Sequence, residues 1–346
     1  MKIGILGHFG AGMMMLNGQT VKTKNLVKGL EKYSNIEVVK VDSYGWKKNP
    51  LRLMRKIRCV FRSCDAIIML PAQNGVKIFS PVLLFFKKVY HKKVFYDVIG
   101  GWLPDFLRKK RFLSIVLKNF NGVWVETKTM KQKLEKQGFK NIFVVPNFKE
   151  LQTLNAEDLI YTQQEPFKLC TFSRVMKEKG IETAITAIKD VNKEKGHTIY
   201  ELDIYGQVES GQEEWFKKLQ SNFPEYIHYK GSIDSSESVN ILKNYFAVLF
   251  PTHFYTEGIP GTVIDGYCAG VPVISSKWLS FSDVVDDKVT GYGYKFNDEN
   301  ALKLLLIQIA SKPSMIFDLK ENCIVKTREF MPSKVIKEIE RILYRE

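Results

Sequence analysis

Two carboxylates in the second half of the chain flank a segment suited to binding a phosphate group. Glu257 and Asp265 lie eight residues apart, with Pro260 and Gly261 between them. Pro and Gly at this place predict the start of a helix, where the first N–H groups have no partner inside the helix. These donors and the positive end of the helix dipole favour an anion. A phosphate held there, with hydroxyl groups bound by the flanking carboxylates, suits a sugar nucleotide.

The apolar runs around these residues predict how they are positioned. Residues 247–250 and 271–275 are short apolar runs, and residues 265–269 between them have a helical pattern. The order of strand, loop, helix and strand is typical of a parallel α/β sheet. In such sheets ligands bind outside the carboxyl ends of the strands, which is where Glu257 falls.

The same stretch resembles the Glu-x7-Glu signature of the retaining GT-B glycosyltransferases of family 4, the glycosyl transferases group 1. The family form reads E-G-F-P-L-x-x-x-E-A-M-A-x-G-x-P-V-I, and residues 257–274 read EGIPGTVIDGYCAGVPVI, with Asp265 in place of the second Glu. The resemblance implies a nucleotide-sugar donor, with Glu257 on the sugar hydroxyls and Asp265 on the ribose. It also implies donor contacts from Gly258, Ile259, Pro260, Gly261 and Thr262.

A second family motif, a strand followed by G-R-x-x-x-x-K-G, is similar to residues 173–180, SRVMKEKG. Arg174, Lys179 and Gly180 match, whereas Ser173 replaces the first glycine. In the family the Arg and Lys bind the donor diphosphate, and two fixed cations stabilise the charge that develops on the leaving group. The resemblance thus implies Arg174, Lys179 and Glu257 as catalytic residues. The alternative is that the two cations are ordinary surface charges.

Further donor contacts follow from the family pattern. Gly206 ends the predicted strand LDIYG, and Gly231 and Ser232 follow the predicted strand that begins at position 227, near the expected nucleobase. In the first half, Gly18 and Gln19 lie where relatives carry a paired glycine close to the donor phosphates.

The acceptor side is expected near residues 96–102, YDVIGGW, where many relatives have a His. Asp97 is the candidate acid or base of this stretch, although an aspartate that caps a turn is an equal interpretation. Gly100 and Gly101 would let a sugar approach the backbone. His8 is a second candidate, and its alternative is a hydrogen-bonding residue at a strand end.

The resemblance implies a reaction that retains anomeric configuration and uses no metal or other cofactor, because the two cations take the place of a metal. No Asp-x-Asp motif occurs in the sequence. The glycines at positions 7, 10 and 12 have the spacing G-x-x-G-x-G, the wrong order for a dinucleotide fingerprint, and no phosphate-loop lysine follows.

The predicted fold is α/β, a GT-B arrangement of two Rossmann-like, doubly wound domains facing a central cleft. Residues 1–148 form the expected acceptor-side domain, which ends at VVPNF, a sequence similar to the family's domain exit. A hinge is predicted at 149–165 and a donor-binding domain at 166–325. The last helix, within 326–346, is expected to cross back to the first domain.

The charge is concentrated in the first half. Residues 1–150 hold 29 Lys and Arg against 9 Asp and Glu, whereas the remainder holds 23 against 28. Residues 47–62, 87–93 and 107–118 interleave these cations with bulky apolar residues, as helices on anionic lipid do. A solvated helix face over an ordinary core is the alternative for each cluster. Nucleic acid is not expected as a partner, because no nucleic-acid-binding motif is present.

The cysteines and the first residues bear on localisation. Five scattered cysteines without zinc-ligand spacing predict reduced thiols in a cytoplasmic protein. The apolar start is interrupted by Gly4 and Gly7, which favours a buried strand over a signal peptide. No run approaches the length of a membrane span. We therefore expect a cytoplasmic protein at the inner face of the cell membrane.

Three functions remain open at this point. The first is a retaining glycosyltransferase that builds a bacterial surface polysaccharide on a lipid-linked acceptor. The second is a GT-B transferase with a soluble acceptor, whose basic face is merely solvated. The third is a non-catalytic membrane- or nucleic-acid-binding protein with a degenerate transferase fold.

Overall fold

The computed structural model describes residues 1–10, 18–161 and 164–345 of the chain. The chain divides into two compact units, Met1–Glu150 with Glu329–Glu346, and Leu151–Arg328. These divisions lie two or three residues from the domain boundaries expected at 148 and 325. The expected hinge, 149–165, thus begins in the first unit and continues in the second.

The first unit alternates strands and helices. Its strands are β1 (Lys2–Gly7), β2 (Glu37–Asp42), β3 (Ala66–Met69), β4 (Lys93–Asp97), β5 (Gly122–Val125) and β6 (Ile142–Val144). Its helices are α1 (Gly18–Tyr33), α2 (Pro50–Ser63), α3 (Gln73–Tyr90), α4 (Leu103–Leu107), α5 (Arg111–Lys118) and α6 (Lys128–Glu135), with α15 (Pro332–Tyr344) from the end of the chain. The basic cluster at 107–118 thus includes the last residue of α4 and all of α5.

The sheet of the first unit is parallel, with strand order β2-β1-β3-β4-β5-β6. All four residues of β3 are buried, as expected for a strand covered on both faces. Successive residues of β3 enter different cores: Ile67 packs with α2 and α3, and Ile68 packs with α1 and α15. A Cβ on Gly29 of α1 would lie 2.8 Å from Ile336 of α15, so this glycine permits close packing of the two helices.

The second unit repeats the pattern. Its strands are β7 (Phe167–Phe172), β8 (Tyr200–Tyr205), β9 (Ile227–Gly231), β10 (Ala247–Phe250), β11 (Val273–Ser276) and β12 (Gly291–Tyr294). Its helices are α7 (Ile181–Lys195), α8 (Glu213–Gln220), α9 (Ser238–Leu242), α10 (Gly261–Cys268), α11 (Phe281–Val284), α12 (Glu299–Ser311), α13 (Ser314–Phe317) and α14 (Lys320–Thr327).

The sheet of the second unit is also parallel, in the order β12-β11-β10-β7-β8-β9. In consequence the loops that follow β10, β7, β8 and β9 lie side by side along one edge of the sheet. These loops carry the acidic, basic and glycine residues that the sequence singled out for donor binding. Helix α10 begins at Gly261, where Pro260 and Gly261 predicted a helix start.

Candidate active site

The centre of the candidate site is an ion pair between Lys179 and Glu257. The Lys179 Nζ contacts Glu257 Oε1, and the two side chains are 14% and 15% exposed. Thr252 Oγ1 donates to the same carboxylate oxygen at 3.2 Å. The rings of Phe250 and Phe254 lie 5.2 Å and 5.3 Å from the ammonium. Both charges are therefore fixed in direction while one side remains open to solvent.

Gly180 explains how Lys179 reaches this loop. The backbone of Gly180 has φ +72°, and a Cβ there would lie 1.9 Å from the carbonyl oxygen of Pro251. Only glycine combines this left-handed conformation with such a close approach. The turn after β7 and the loop after β10 can thus touch, which places the ammonium beside Glu257.

Arg174 lies on the neighbouring loop and contacts a carboxylate that the sequence analysis missed. Its Nη1 lies 2.5 Å from Glu209 Oε2, and the two side chains are 38% and 32% exposed. The loops after β7 and β8 run together, because Val175 N donates to Gln207 O and Glu209 N donates to Val175 O. Glu209 follows a strand end and a glycine, but no sequence spacing links it to Arg174.

The glycines at the ends of β8 and β9 bring these loops together. A Cβ on Gly206 would lie 1.8 Å from the carbonyl oxygen of Ser173, at φ +131°. Gly206 N donates to Gly231 O at 2.9 Å, and Ser232 beyond it is exposed. The structure therefore places the predicted donor residues Gly206, Gly231 and Ser232 on one edge with Arg174.

The start of α10 lies between these loops and the core. Pro260 precedes the helix in an extended conformation, and no side chain caps the helix start. Thr262 Oγ1 donates to the carbonyl oxygen of Phe172, at the end of β7, so its hydroxyl is already used by the fold. Gly258 and Ile259 are buried beneath the loop. The backbone N–H groups of Gly261 and Thr262 are the groups this segment offers to an anion.

Asp265 lies deeper than its predicted role requires. It is 1% exposed, and Ser238 Oγ from α9 donates to its Oδ1 at 3.0 Å. A ribose contact needs an accessible carboxylate, so this geometry does not favour it, and the contact stays a prediction. Ser238 is a partner that the sequence analysis missed, because it belongs to a different helix.

In the first unit, His8 and Gln19 make hydrogen bonds near the ends of β1 and β3. His8 Nδ1 and Thr20 Oγ1 are 2.7 Å apart, and the His8 ring meets the Tyr44 ring edge-on. Gln19 Nε2 donates to Leu70 O at 3.2 Å. Gly18 is the exposed first residue of α1, while part of the preceding glycine- and methionine-rich loop lies outside the described residues.

Asp97 belongs to a buried ion network. Lys22 Nζ lies 2.9 Å from Asp97 Oδ1, 2.9 Å from Glu126 Oε1 and 2.6 Å from the carbonyl oxygen of Val98. The side chains of Lys22, Asp97 and Glu126 are 7%, 3% and 4% exposed. Glu126 Oε1 also accepts from Gly100 N at 3.2 Å, and Gly101 is buried beside it. Neither Lys22 nor Glu126 was among the site residues predicted from the sequence.

This burial changes the interpretation of Asp97. Its contact with Lys22 is an ion pair, since Oδ1 has no aligned hydrogen-bond donor among the described residues. Burial raises the pKa of Asp97 to about 6, because the attraction of Lys22 offsets only part of the lost hydration. The two carboxylates in turn outweigh burial at Lys22 and raise its pKa. A carboxylate so enclosed is not placed to touch a substrate, which argues against a direct acid or base role.

A metal-binding group and a membrane-spanning helix are both absent from the part of the chain that the structure describes. Within residues 1–10, 18–161 and 164–345, no three His, Cys, Asp or Glu side chains are grouped so as to hold a metal ion. Over the same residues, no helix combines the length and the apolar character needed to cross a membrane. The prediction of a metal-independent reaction stays a prediction.

Comparison with known proteins gives matches to the second unit and to the whole fold. Residues 160–330 match the family model described as glycosyl transferases group 1. An uncharacterized glycosyltransferase of Methanocaldococcus jannaschii is 25% identical over 181 residues, 51% of this chain and 45% of the relative. The amylovoran biosynthesis glycosyltransferase AmsK of Erwinia amylovora is 21% identical over 150 residues, 42% of this chain and 36% of the relative. The chain thus spans less than half the length of these relatives.

Among solved structures, Anabaena HepE in complex with UDP and glucose is similar over the whole chain. The match covers 99% of both chains with a TM-score of 0.74 and 14% sequence identity. At this identity the likeness shows the fold.

Proposed function

Because residues 160–330 match the family model of the glycosyl transferases group 1 and the whole chain has the GT-B fold, we propose that this protein is a retaining glycosyltransferase. It moves a sugar from a nucleotide-sugar donor to an acceptor hydroxyl. The observation that carries the proposal is the row of charges on one sheet edge, where Lys179 and Glu257 are paired beside the loop of Arg174. This edge supplies cations for a diphosphate and a carboxylate for sugar hydroxyls.

The diphosphate of the donor binds to Arg174, Lys179 and the first N–H groups of α10. A guanidinium forms two parallel hydrogen bonds to phosphate oxygens, whereas an ammonium acts as a compact charge. Negative charge grows on the leaving phosphate as the bond to the sugar breaks. Fixed cations at this position lower the energy of the transition state more than that of the bound donor. The reaction therefore proceeds without a metal or cofactor.

Glu257 holds the hydroxyl groups of the sugar while the reaction proceeds. Its carboxylate is oriented by Lys179 and Thr252, so its free lone pairs point in a fixed direction. The acceptor oxygen bonds to the anomeric carbon on the face that the phosphate leaves, and the acceptor proton passes to a departing phosphate oxygen. This route retains the configuration and needs no separate base, in agreement with the burial of Asp97.

The other predicted residues complete the donor and acceptor sides in this proposal. Gly231 and Ser232 contact the nucleobase through the backbone, and Gly206 keeps their loop against Ser173. Gly18 and Gln19 are assigned to the donor side in the first unit, and His8 to the acceptor side.

The acceptor is a lipid-linked saccharide in this proposal, reached through a basic face formed by α2, α3 and α5 of the first unit. In this unit α3 packs against both α2 and α5. Most of the Lys and Arg side chains on the three helices are exposed. The same helices also carry apolar side chains that are more than half exposed, namely Leu51, Phe85, Val89, Phe112 and Ile115. Cations that surround protruding apolar groups fit an anionic lipid surface, with the apolar groups entering the interface.

The proposed pathway is supported by the basic face and by the name of one relative. The relative AmsK is named for amylovoran biosynthesis. We assign this chain to the synthesis of a bacterial surface polysaccharide, in the cytoplasm and peripherally bound to the inner membrane face. A soluble acceptor is the second candidate, and negligible binding to anionic vesicles would favour it.

Thermal unfolding in the presence of nucleotide sugars tests the donor site. We expect one class among UDP-, GDP-, ADP- and TDP-sugars to raise the melting temperature of the wild-type protein. Arg174→Ala and Lys179→Ala should lose the response. Lys177→Ala is the matched control, because Lys177 lies on the same turn as Lys179 but is exposed. If no nucleotide sugar stabilises the protein, or if all three variants respond like the wild type, the proposed donor site is wrong.

A further inference from the structure

The buried network of Lys22, Asp97 and Glu126 has no part in donor binding and needs a separate explanation. It joins three elements of the first unit: helix α1, the end of β4 and the residue that follows β5. An ammonium group has three N–H donors, and three oxygen atoms surround this one within 2.9 Å. Two of these oxygens, Val98 O and Glu126 Oε1, accept hydrogen bonds from Lys22, and the third, Asp97 Oδ1, forms an ion pair with it.

The network fixes the backbone that leaves β4 at two points. Lys22 Nζ donates to Val98 O, and Glu126 Oε1 accepts from Gly100 N, so the residues on both sides of Ile99 are held. Gly100 has φ +73°, a left-handed conformation, and it lies at a bend in the chain. The Trp102 indole N–H then donates to Ile99 O at 2.7 Å and closes the turn. The shape of the 98–101 turn is thus set by the ion network.

Stability alone does not account for these charges. A buried ion network contributes little net stability relative to apolar side chains of similar volume, because each charge loses its hydration. What charged groups add is direction, since each oxygen is held at a set distance from Nζ. A turn at the carboxyl edge of a parallel sheet is also where substrates bind.

We infer that Lys22, Asp97 and Glu126 are positioning residues that hold the 98–101 turn in the shape required on the acceptor side of the transfer. This inference rests on the proposed glycosyltransferase function. None of the three side chains touches the substrate, and the turn itself presents its backbone to the acceptor. A displacement of reacting groups by about 1 Å is enough to lower a rate by about a hundredfold.

The test compares a single with a triple variant. Lys22→Met leaves two buried carboxylates without a cation, so it destabilises the fold. The triple variant K22M/D97N/E126Q has no buried charge and is expected to fold, but it lacks the cation that ties α1 to the turn. Lys32→Met is the control, because Lys32 lies on the same helix and pairs with Glu150 at an exposed position.

Hydrogen exchange provides the first measurement, and it needs no substrate. In the triple variant we expect the Gly100 amide to exchange at least tenfold faster than in the wild type. Peptides from the second unit and from Lys32→Met should exchange at wild-type rates. An unchanged Gly100 amide would overturn the inference, whatever the activity of the variant.

Turnover of the nucleotide sugar that stabilises the wild type provides the second measurement, followed as release of nucleoside diphosphate. The triple variant should lose at least tenfold in kcat, with its donor KM within twofold of the wild type. A wild-type kcat in the folded triple variant would show a purely structural network and refute the positioning role. If the wild type itself turns over no nucleotide sugar, the proposed function fails, and the catalytic half of this inference fails with it.

Discussion

The two units of this protein use ion pairs in opposite ways. In the second unit, Arg174 and Lys179 each contact a carboxylate, and each pair is partly open to solvent. In the first unit, Lys22 is enclosed with two carboxylates and a carbonyl oxygen. A partly open pair can accept a ligand phosphate at small cost, whereas an enclosed pair cannot open without leaving an unpaired buried charge. The charges of the second unit are thus available to bind a ligand, whereas those of the first unit fix the position of the backbone.

The largest expected effect is on the enclosed network. Lys22→Met should lower the free energy of unfolding by about 3–5 kcal/mol, because it leaves buried carboxylates without their cation. Urea unfolding of the full chain measures this change. Lys32→Met, which breaks an exposed pair, should change the free energy of unfolding far less. Equal losses for the two variants would remove the distinction between the two kinds of pair.

The open pairs should show the reverse pattern. Arg174→Ala or Lys179→Ala should lower kcat/KM about a hundred- to a thousandfold, since each removes a cation from the developing charge of the leaving group. The free energy of unfolding should change by less than about 1 kcal/mol for Arg174→Ala, because its pair is partly exposed to solvent. Steady-state release of nucleoside diphosphate and urea unfolding together test this. Full activity in both variants would show that these charges do not bind the donor.

The exposed surfaces of the two units should also differ in binding to lipid. Replacing Phe112 and Ile115 of the basic face by Ser removes two protruding apolar groups. This should weaken binding to phosphatidylglycerol vesicles roughly thirtyfold, or about 2 kcal/mol for two partly inserted side chains. Vesicle flotation measures the change. The control replaces Leu304 and Val325, two equally exposed residues of the second unit, and should have no effect.

Acidification should stabilise the enclosed network through Asp97. Its pKa is raised from 3.8 to about 6 in the folded protein, so between these values the folded state binds a proton that the unfolded state has lost. This contribution to stability is present at low pH and is lost as pH rises from about 4 to about 6. Between pH 7 and pH 5 the wild type should gain roughly 1 kcal/mol relative to Asp97→Asn. Unfolding curves of both proteins at the two pH values decide this, and parallel changes would contradict it.

The smallest expected effect concerns the open pair of Arg174 and Glu209. Glu209 competes with the donor diphosphate for the guanidinium, so Glu209→Gln should tighten binding of a nucleoside diphosphate. An exposed pair is worth about 0.2–1 kcal/mol, which corresponds to at most about a fivefold change in Kd. Isothermal titration with the nucleoside diphosphate of the preferred donor measures it. Weaker binding by Glu209→Gln would show that the carboxylate supports the site instead of competing for it.

The sequence was sufficient to predict the fold and the family resemblance. The α/β, GT-B fold is confirmed by the two parallel sheets and the structural likeness, and the resemblance is confirmed by the family match at residues 160–330. These features depend on local apolar runs and on short motifs, which a single sequence displays. The roles of the individual site residues stay predictions.

The partners of the site residues could not be read from the sequence. Glu209 meets Arg174 across 35 positions, and Glu126 meets Lys22 across 104. Such pairs form only when the strand order places two distant segments side by side. No periodicity in the sequence indicates this proximity. Asp97 shows the consequence. Its position at a strand end suggested chemistry, but the structure encloses it with Lys22 of α1, a residue distant in the sequence.

The return of α15 to the first unit has a consequence for synthesis on the ribosome. Ile336, Ile339 and Leu343 of this helix are fully buried against the first unit. Residues 151–328 are translated before α15. The apolar face of α1 around Gly29 therefore remains uncovered by α15 until the second unit has been synthesised. During this interval the nascent chain exposes a surface that chaperones recognise. A break in translation within the second unit would leave the first unit incomplete and prone to aggregate.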